Sequence, residues 1–198
     1  MTDKRRDSGL DPSDWGAFRA AAHELLDACI DRSSSSSDHP WRPVPDEVRA
    51  HYSLNSSEET VVDPRQLVAE LRELVLPYGT GNTHPRFFGW VHGTGLVEGL
   101  LSEMVAVTMN ANCGGRDHGA IYLERVVVDW TRRLMGFPQD ASGVLVTGTS
   151  QATVIALQVA RFRALGATLK AKGQGGRWLT AYTGSGAHSS IRKAFELL

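Results

Sequence analysis

Residues 143–153 read GVLVTGTSQAT. Gly143 to Thr147 is a short apolar run of β-type residues, and the pattern changes at Gly148. A helix is predicted to follow at once, with Ala152, Ile155, Ala156, Val159 and Phe162 on its buried face and an end near Gly166. After a Gly-rich loop at 173–176, Trp178 to Thr183 reads as a second strand, 184–187 as a turn, and Ser189 onward as another helix. Strand, helix, strand, helix predicts parallel βαβ units, hence an α/β fold with helices flanking a mostly parallel sheet. Two strands do not make a stable parallel sheet. The last helix also runs into AFELL without a Gly or Asn cap. The chain is therefore expected to be the front part of a longer polypeptide.

Upstream, residues 96–109 and 118–135 are predicted helices, the second with Leu123, Val126, Val127, Trp130 and Leu134 on one stripe. Before residue 79 the composition differs: only Gly9 and Gly16 of the 20 glycines lie there, against 6 of the 8 prolines. Residues 1–78 carry net charge −6 and residues 79–198 net +5, which predicts an acidic arm lying against a more basic body. In this helical arm Asp14 can cap a helix with Trp15, Phe18, Ala22, Leu25, Leu26 and Cys29 on one face. The serines at 33–37 are expected to form a mobile connector. Asp63 and Pro64 read as the cap and first position of a second helix with Leu67, Val68, Leu71, Leu74 and Val75 on one face, stopped by Pro77.

Across 198 residues, 41% are hydrophobic and 22% charged, with a net charge of −1, so global disorder is excluded. The charge balance gives no electrostatic footprint for nucleic acid or an anionic membrane. The start, MTDKRRDSGLDPSDW, lacks the apolar run of a secretory signal. The best apolar window, 96–109, is interrupted by Glu98 and Glu103 and is too short to span a bilayer. Cys29 and Cys113 fit neither a disulfide framework nor a zinc spacing, so a reduced, cytoplasmic setting is the expectation.

Three segments carry candidate chemistry. At the strand-to-helix junction, Gly148 permits a tight turn and close backbone approach, while Thr149 and Ser150 set hydroxyls beside the open N–H groups of a helix start, an arrangement that suits a phosphate. Thr149 or Ser150 acting only as an N-cap is the competing reading. There is no GKS or GKT and no GxGxxG, so an ATP or NAD site has little support. In YTGSGAHSSIRKA, His188 ends a glycine-rich strand exit at the carboxyl edge where ligands of open α/β sheets collect, or simply starts a helix. In NTHPRFFGWVHG, residues 82–93, His84, Phe87, Phe88, Trp90 and His92 lie between glycines and can line a small-molecule pocket, Phe87 and Phe88 being the better core candidates. No metal site is expected: His84, His92 and His118 follow no ligand spacing, and there is no HExxH.

HPRFFGW, then LERVVVDW, GFP and GVLVTGTSQATVIALQVAR, then AYTGSGAHSSIRKA occur in an order and spacing that resemble the pyridoxal-phosphate-dependent group II decarboxylases, which include the aromatic-amino-acid and glutamate decarboxylases. The resemblance covers nearly all of the chain beyond the first dozen residues. It implies the front of a fold-type I large domain over residues 79–198, behind a helical arm at 1–78 that packs across a homodimer. By resemblance, Gly148, Thr149 and Ser150 hold the phosphate of pyridoxal 5′-phosphate, and His188 stacks on its ring as a catalytic residue. Trp90 and His92 border the amino-acid substrate, Trp90 standing where the family has a tyrosine-like ring. Lys4, Lys170, Lys172 and Lys193 do not sit in the Schiff-base context, so the chain alone is expected not to decarboxylate. Transamination, aldol cleavage or desulfuration on the same cofactor, and a non-catalytic binding subunit, remain the alternatives.

Overall fold

Asp14 starts the first helix as its sequence predicts: the carboxylate accepts from Gly16 N at 2.8 Å and Ala17 N at 3.0 Å, capping α1 (Trp15–Ser34). The computed structural model describes residues 11–52, 63–112, 116–166, 172–173 and 175–198. It divides into two units, Met1–Ala111 and Asn112–Leu198.

In the first unit, α1 ends within the serine run rather than before it. Ser33 Oγ donates to Cys29 O at 2.8 Å, Ser34 Oγ to Asp31 O at 3.0 Å and Ser35 Oγ to Asp31 O at 2.6 Å. The hydroxyls satisfy the carbonyls that a helix end leaves open, and a 3₁₀ turn follows at Ser36–Asp38. The expected connector is thus the end of α1 and the start of the 3₁₀ turn that follows it. A short helix that the proline-punctuated sequence hid, α2 (Asp46–His51), has Asp46 and Glu47 in its first turn and Arg49 and His51 in its last, matching the helix dipole. α3 (Pro64–Glu70) begins as expected, Asp63 accepting from Arg65 N at 2.9 Å. It runs on as a π turn (Leu71–Val75) and a 3₁₀ turn (Leu76–Tyr78) containing Pro77. α1 packs on α3, and Ala21 and Val68 are buried. Trp15 and Phe18, expected on the buried face, are exposed and meet edge to face at 5.9 Å. α4 (Glu98–Met109) closes the unit and ends at Asn110 in the left-handed region, φ 42°.

In the second unit α5 (Gly119–Leu134), α6 (Thr149–Leu165) and α7 (Ser189–Leu197) match the expected helices, and α6 stops at Gly166 with φ 79°. The expected buried stripes differ. Leu123, Val126, Val127, Trp130 and Leu134 of α5 are exposed, as are Ile155, Val159 and Phe162 of α6. α6 instead packs on α7, where Leu165, Ser190 and Ala194 are buried.

The predicted strands form no ladder among the described residues. A ladder requires a neighbour about 4.8 Å away, and the backbone of the first run is engaged elsewhere: Leu145 N donates to Glu124 Oε1 of α5 at 2.9 Å. Residues 178–183 leave Trp178 and Tyr182 exposed. The stripes of α5 and α6 that the sequence predicts to be buried consequently face no strand among the described residues.

Candidate functional site

α5 positions the junction at residues 143–151. A Cβ on Gly143 would lie 3.1 Å from Val128 Cγ1, so the run sits close against α5 there. Arg132 Nη1 donates to Pro138 O at 3.3 Å, tying the intervening turn to the end of the same helix. Asp129 holds Arg132 in place through contacts of 3.0 and 2.7 Å and reaches Arg133 Nε at 3.1 Å. The hydrogen bond from Arg132, then the two guanidinium charges, keep the Asp129 carboxyl below its ordinary titration range against an opposing desolvation contribution.

At the junction itself the N-cap of α6 is Gly148, and no side chain caps the helix. Thr149 and Ser150 are the first two helical residues, so the reading in which either serves merely as the cap does not hold. Gly148 is extended, with φ 177° and ψ 164°. Its conformation does not demand glycine, but a Cβ there would meet nothing within 4 Å, leaving room before the helix end. The missing side-chain cap leaves N–H groups of the first turn without a side-chain acceptor, at a helix end whose dipole favours an anion.

Gln151 is the residue that sequence reasoning passed over. Its Oε1 accepts from Thr147 Oγ1 at 2.9 Å and from Thr147 N at 3.3 Å, tying the incoming chain to the first turn of the helix. A Gln three residues after the cap is the second half of a capping box, and that signal was available. Here it reaches one residue further back than usual, which leaves Gly148 uncovered.

His188 is the N-cap of α7. Ser190 N donates to its Nδ1 at 3.2 Å, and Nδ1 and Ser190 Oγ are 2.9 Å apart. The backbone donor makes Nδ1 an acceptor, so the proton of the neutral ring sits on Nε2. The helix-start reading is therefore realised, and it also fixes the ring's orientation.

In the first unit, Trp90 takes the left-handed region with φ 53°, and its ring lies 6.1 Å from Phe87 and 5.9 Å from His92; Phe87 and His92 are 5.9 Å apart. Phe88, expected in the core, is 93% exposed. The loop is held from outside the cluster: Asn82 Nδ2 donates to Gly93 O at 2.7 Å, and His84 Nε2 lies 3.0 Å from Ser37 O while its Nδ1 accepts from Arg86 N at 3.0 Å. His84 is thus a structural tie. Among the described residues no group of three His, Cys, Asp or Glu side chains could hold a metal, and Cys113 lies outside them.

The model of the pyridoxal-dependent decarboxylase conserved domain matches residues 45–198. The chain is 27% identical over 147 residues to an aromatic-L-amino-acid decarboxylase of Bacillus atrophaeus, covering 73% of this chain and 31% of that protein. It is 29% identical over 195 residues to a tyrosine decarboxylase of Oryza sativa subsp. japonica, covering 93% and 36%. A phenylacetaldehyde synthase of Arabidopsis thaliana is 25% identical over 203 residues, covering 95% and 39%. Among solved structures, Oryza sativa TDC with PLP and tryptamine superposes with a TM-score of 0.72 at 21% identity, over 94% of this chain and 42% of that one, a likeness of fold. The chain spans well under half the length of these relatives. With most of its length matched by the domain model, the chain belongs to the pyridoxal-dependent decarboxylase family.

Proposed function

We propose that this chain provides the phosphate anchor and the ring-facing histidine of a pyridoxal 5′-phosphate-dependent carboxy-lyase acting on an amino acid. The observation that carries the reading is the uncapped start of α6 behind Gly148, in a chain of this family. When bound, the cofactor ring takes up the electron pair left as carbon dioxide departs. The chain's own residues have simpler tasks. The first-turn amides of α6, with the Thr149 and Ser150 hydroxyls, would hold the phosphate against the helix dipole. Gln151 would hold Thr147 to the first turn of α6 beside that phosphate. His188, its Nδ1 pinned by Ser190, would present the ring face and an Nε2 proton to the cofactor side.

Trp90 and His92 would border the substrate side chain, with Trp90 widening or narrowing the space relative to a tyrosine. The matched relatives named for aromatic amino acids support an aromatic substrate class. A homodimer belongs to the same proposal. α4 buries no side chain among the described residues, and the apolar Leu101, Met104 and Val105 are exposed on one stripe, a face that a second copy would cover.

The relatives do not all carry the name of a decarboxylase. The test is therefore product analysis on the full-length gene product, supplied with pyridoxal 5′-phosphate and carboxyl-labelled tyrosine, tryptophan or phenylalanine. The proposal expects labelled carbon dioxide with the matching amine. Aldehyde in place of amine would reassign the reaction, and no labelled carbon dioxide from any amino acid would overturn it.

A further inference from the structure

Three arginines from three different elements line an open cavity of about 530 Å³ within the first unit: the half-buried Arg32 of α1, and the exposed Arg42 of the chain before α2 and Arg72 of the π turn after α3. Among the described residues none of the three forms an ion pair or a side-chain hydrogen bond. Among the described residues of this unit, the ion pair present is Arg49 with Asp46. Arg42 lies over the Tyr78 ring, 4.7 Å from its centroid, which fixes its guanidinium without neutralising it. Pro40, Leu76 and Pro77 form an apolar floor, and Ser35 Oγ and His39 Nε2, 3.1 Å apart, add polar groups to the wall. Asp31 and Asp38 also line the cavity but lie beyond ion-pair distance of the arginines. Burial, and then the neighbouring Arg42 charge, lower the proton affinity of Arg32.

We propose that this cavity is a binding site for a small polyanion carrying at least two negative charges, distinct from the junction at Gly148. Planar guanidinium groups offer paired donors that match the oxygens of phosphate or carboxylate. Their arrival from separate elements means that an occupant would bridge α1 to the turns after α3, so binding would stabilise this unit. The volume exceeds that of a single inorganic anion and falls in the range of small-molecule sites.

Isothermal titration of the full chain with inorganic pyrophosphate and with citrate tests the site and separates its two sources of charge. The expected result is saturable binding of at least one probe. The triple variant Arg32→Gln, Arg42→Gln, Arg72→Gln should weaken it by roughly 50-fold or more, each paired charge being worth on the order of a few-fold or above. The tighter probe identifies the phosphate or carboxylate class. Asp38→Asn, which removes an opposing charge and disturbs no cation, should tighten binding by about two- to threefold. That gain distinguishes a ligand site from arginines that serve only to fold the unit. Thr149→Val should leave this binding unchanged, which separates it from a phosphate held at α6. Absence of saturable binding by either probe, or equal binding by the native chain and the folded triple variant, would overturn the proposal. So would unchanged affinity in Asp38→Asn.

Discussion

Replacing Gln151 separates a ligand site from an ordinary helix start, because two substitutions move stability and phosphate affinity in different directions. Gln151→Leu removes the acceptor of the 2.9 Å and 3.3 Å bonds from Thr147. Neutral hydrogen bonds contribute about 0.5–1.5 kcal/mol each. Since one is long and both are exposed, the combined loss should be about 1–1.5 kcal/mol of stability. Gln151→Glu keeps the acceptor of both bonds and adds a negative charge in the first helical turn, which the dipole favours by roughly 0.3–1 kcal/mol. For a bound phosphate the same charge is unfavourable. At a separation of about one helical turn, ~5–6 Å, the Coulomb cost per charge pair is ~0.7–0.8 kcal/mol in a water-like medium and ~3 kcal/mol at an effective dielectric of 20. The exposed position lies near the lower figure, and a phosphate near two negative charges then gives about 1.4 kcal/mol, or roughly tenfold weaker binding. Urea denaturation and titration with pyridoxal 5′-phosphate read the two quantities on the same samples. The expected pattern is a destabilised Leu variant with modestly weakened binding and a stable Glu variant with binding weakened about tenfold. If affinity simply follows stability in both variants, Gln151 organises a helix start and no anion sits before it.

His188→Ala should destabilise α7 by about 1 kcal/mol through loss of its cap, while His188→Asn restores the cap but not the ring; if the ring faces the cofactor, both variants lose pyridoxal 5′-phosphate affinity and only Ala loses thermal stability. Glu124→Ala deletes the charged acceptor of Leu145 N and should cost about 1–2 kcal/mol in urea denaturation, with phosphate-site affinity falling alongside because the junction loses its tie to α5. Ala21→Leu forces a larger side chain between α1 and α3, where Ala21 is 2% exposed, and should lower stability by about 1–3 kcal/mol in the same assay. Asp129 titrates below its ordinary range in the folded chain, so its contribution is complete above the unfolded carboxylate pKa and is lost as pH falls through the lower folded value. Circular dichroism should accordingly show an acid loss of α5 helicity that is absent in Asp129→Asn.

Helix starts were legible because their signals are local. Asp14, Asp63 with Pro64, and Gly166 at the end of α6 each act within one or two turns of chain, and each appears where the sequence places it. The serine run was misread because the same hydroxyls that favour a turn can close a helix end by bonding carbonyls three or four residues back. The apolar stripes of α5 and α6 identify surfaces that prefer burial but not the element that supplies it, and among the described residues no strand does so. At the junction, sequence placed Thr149 and Ser150 beside the helix start. It could not show that neither would become the cap, because that depends on Gln151 reaching back to Thr147 instead of to Gly148. The arginine cavity was illegible for a related reason: Arg32, Arg42 and Arg72 are separated by ten and thirty positions, and only the packing of α1 on α3 brings them to one wall.

Phosphorus-31 NMR of pyridoxal 5′-phosphate titrated into the full-length protein, native and Thr149→Pro, tests the anchor most directly. Proline suits the first position of a helix but removes an amide donor and a hydroxyl, so α6 should persist while its start loses grip. The account predicts a shifted bound-phosphate resonance in the native protein and binding weaker by about tenfold in a variant of undiminished helicity. The same bound resonance at the same affinity in both proteins would contradict it.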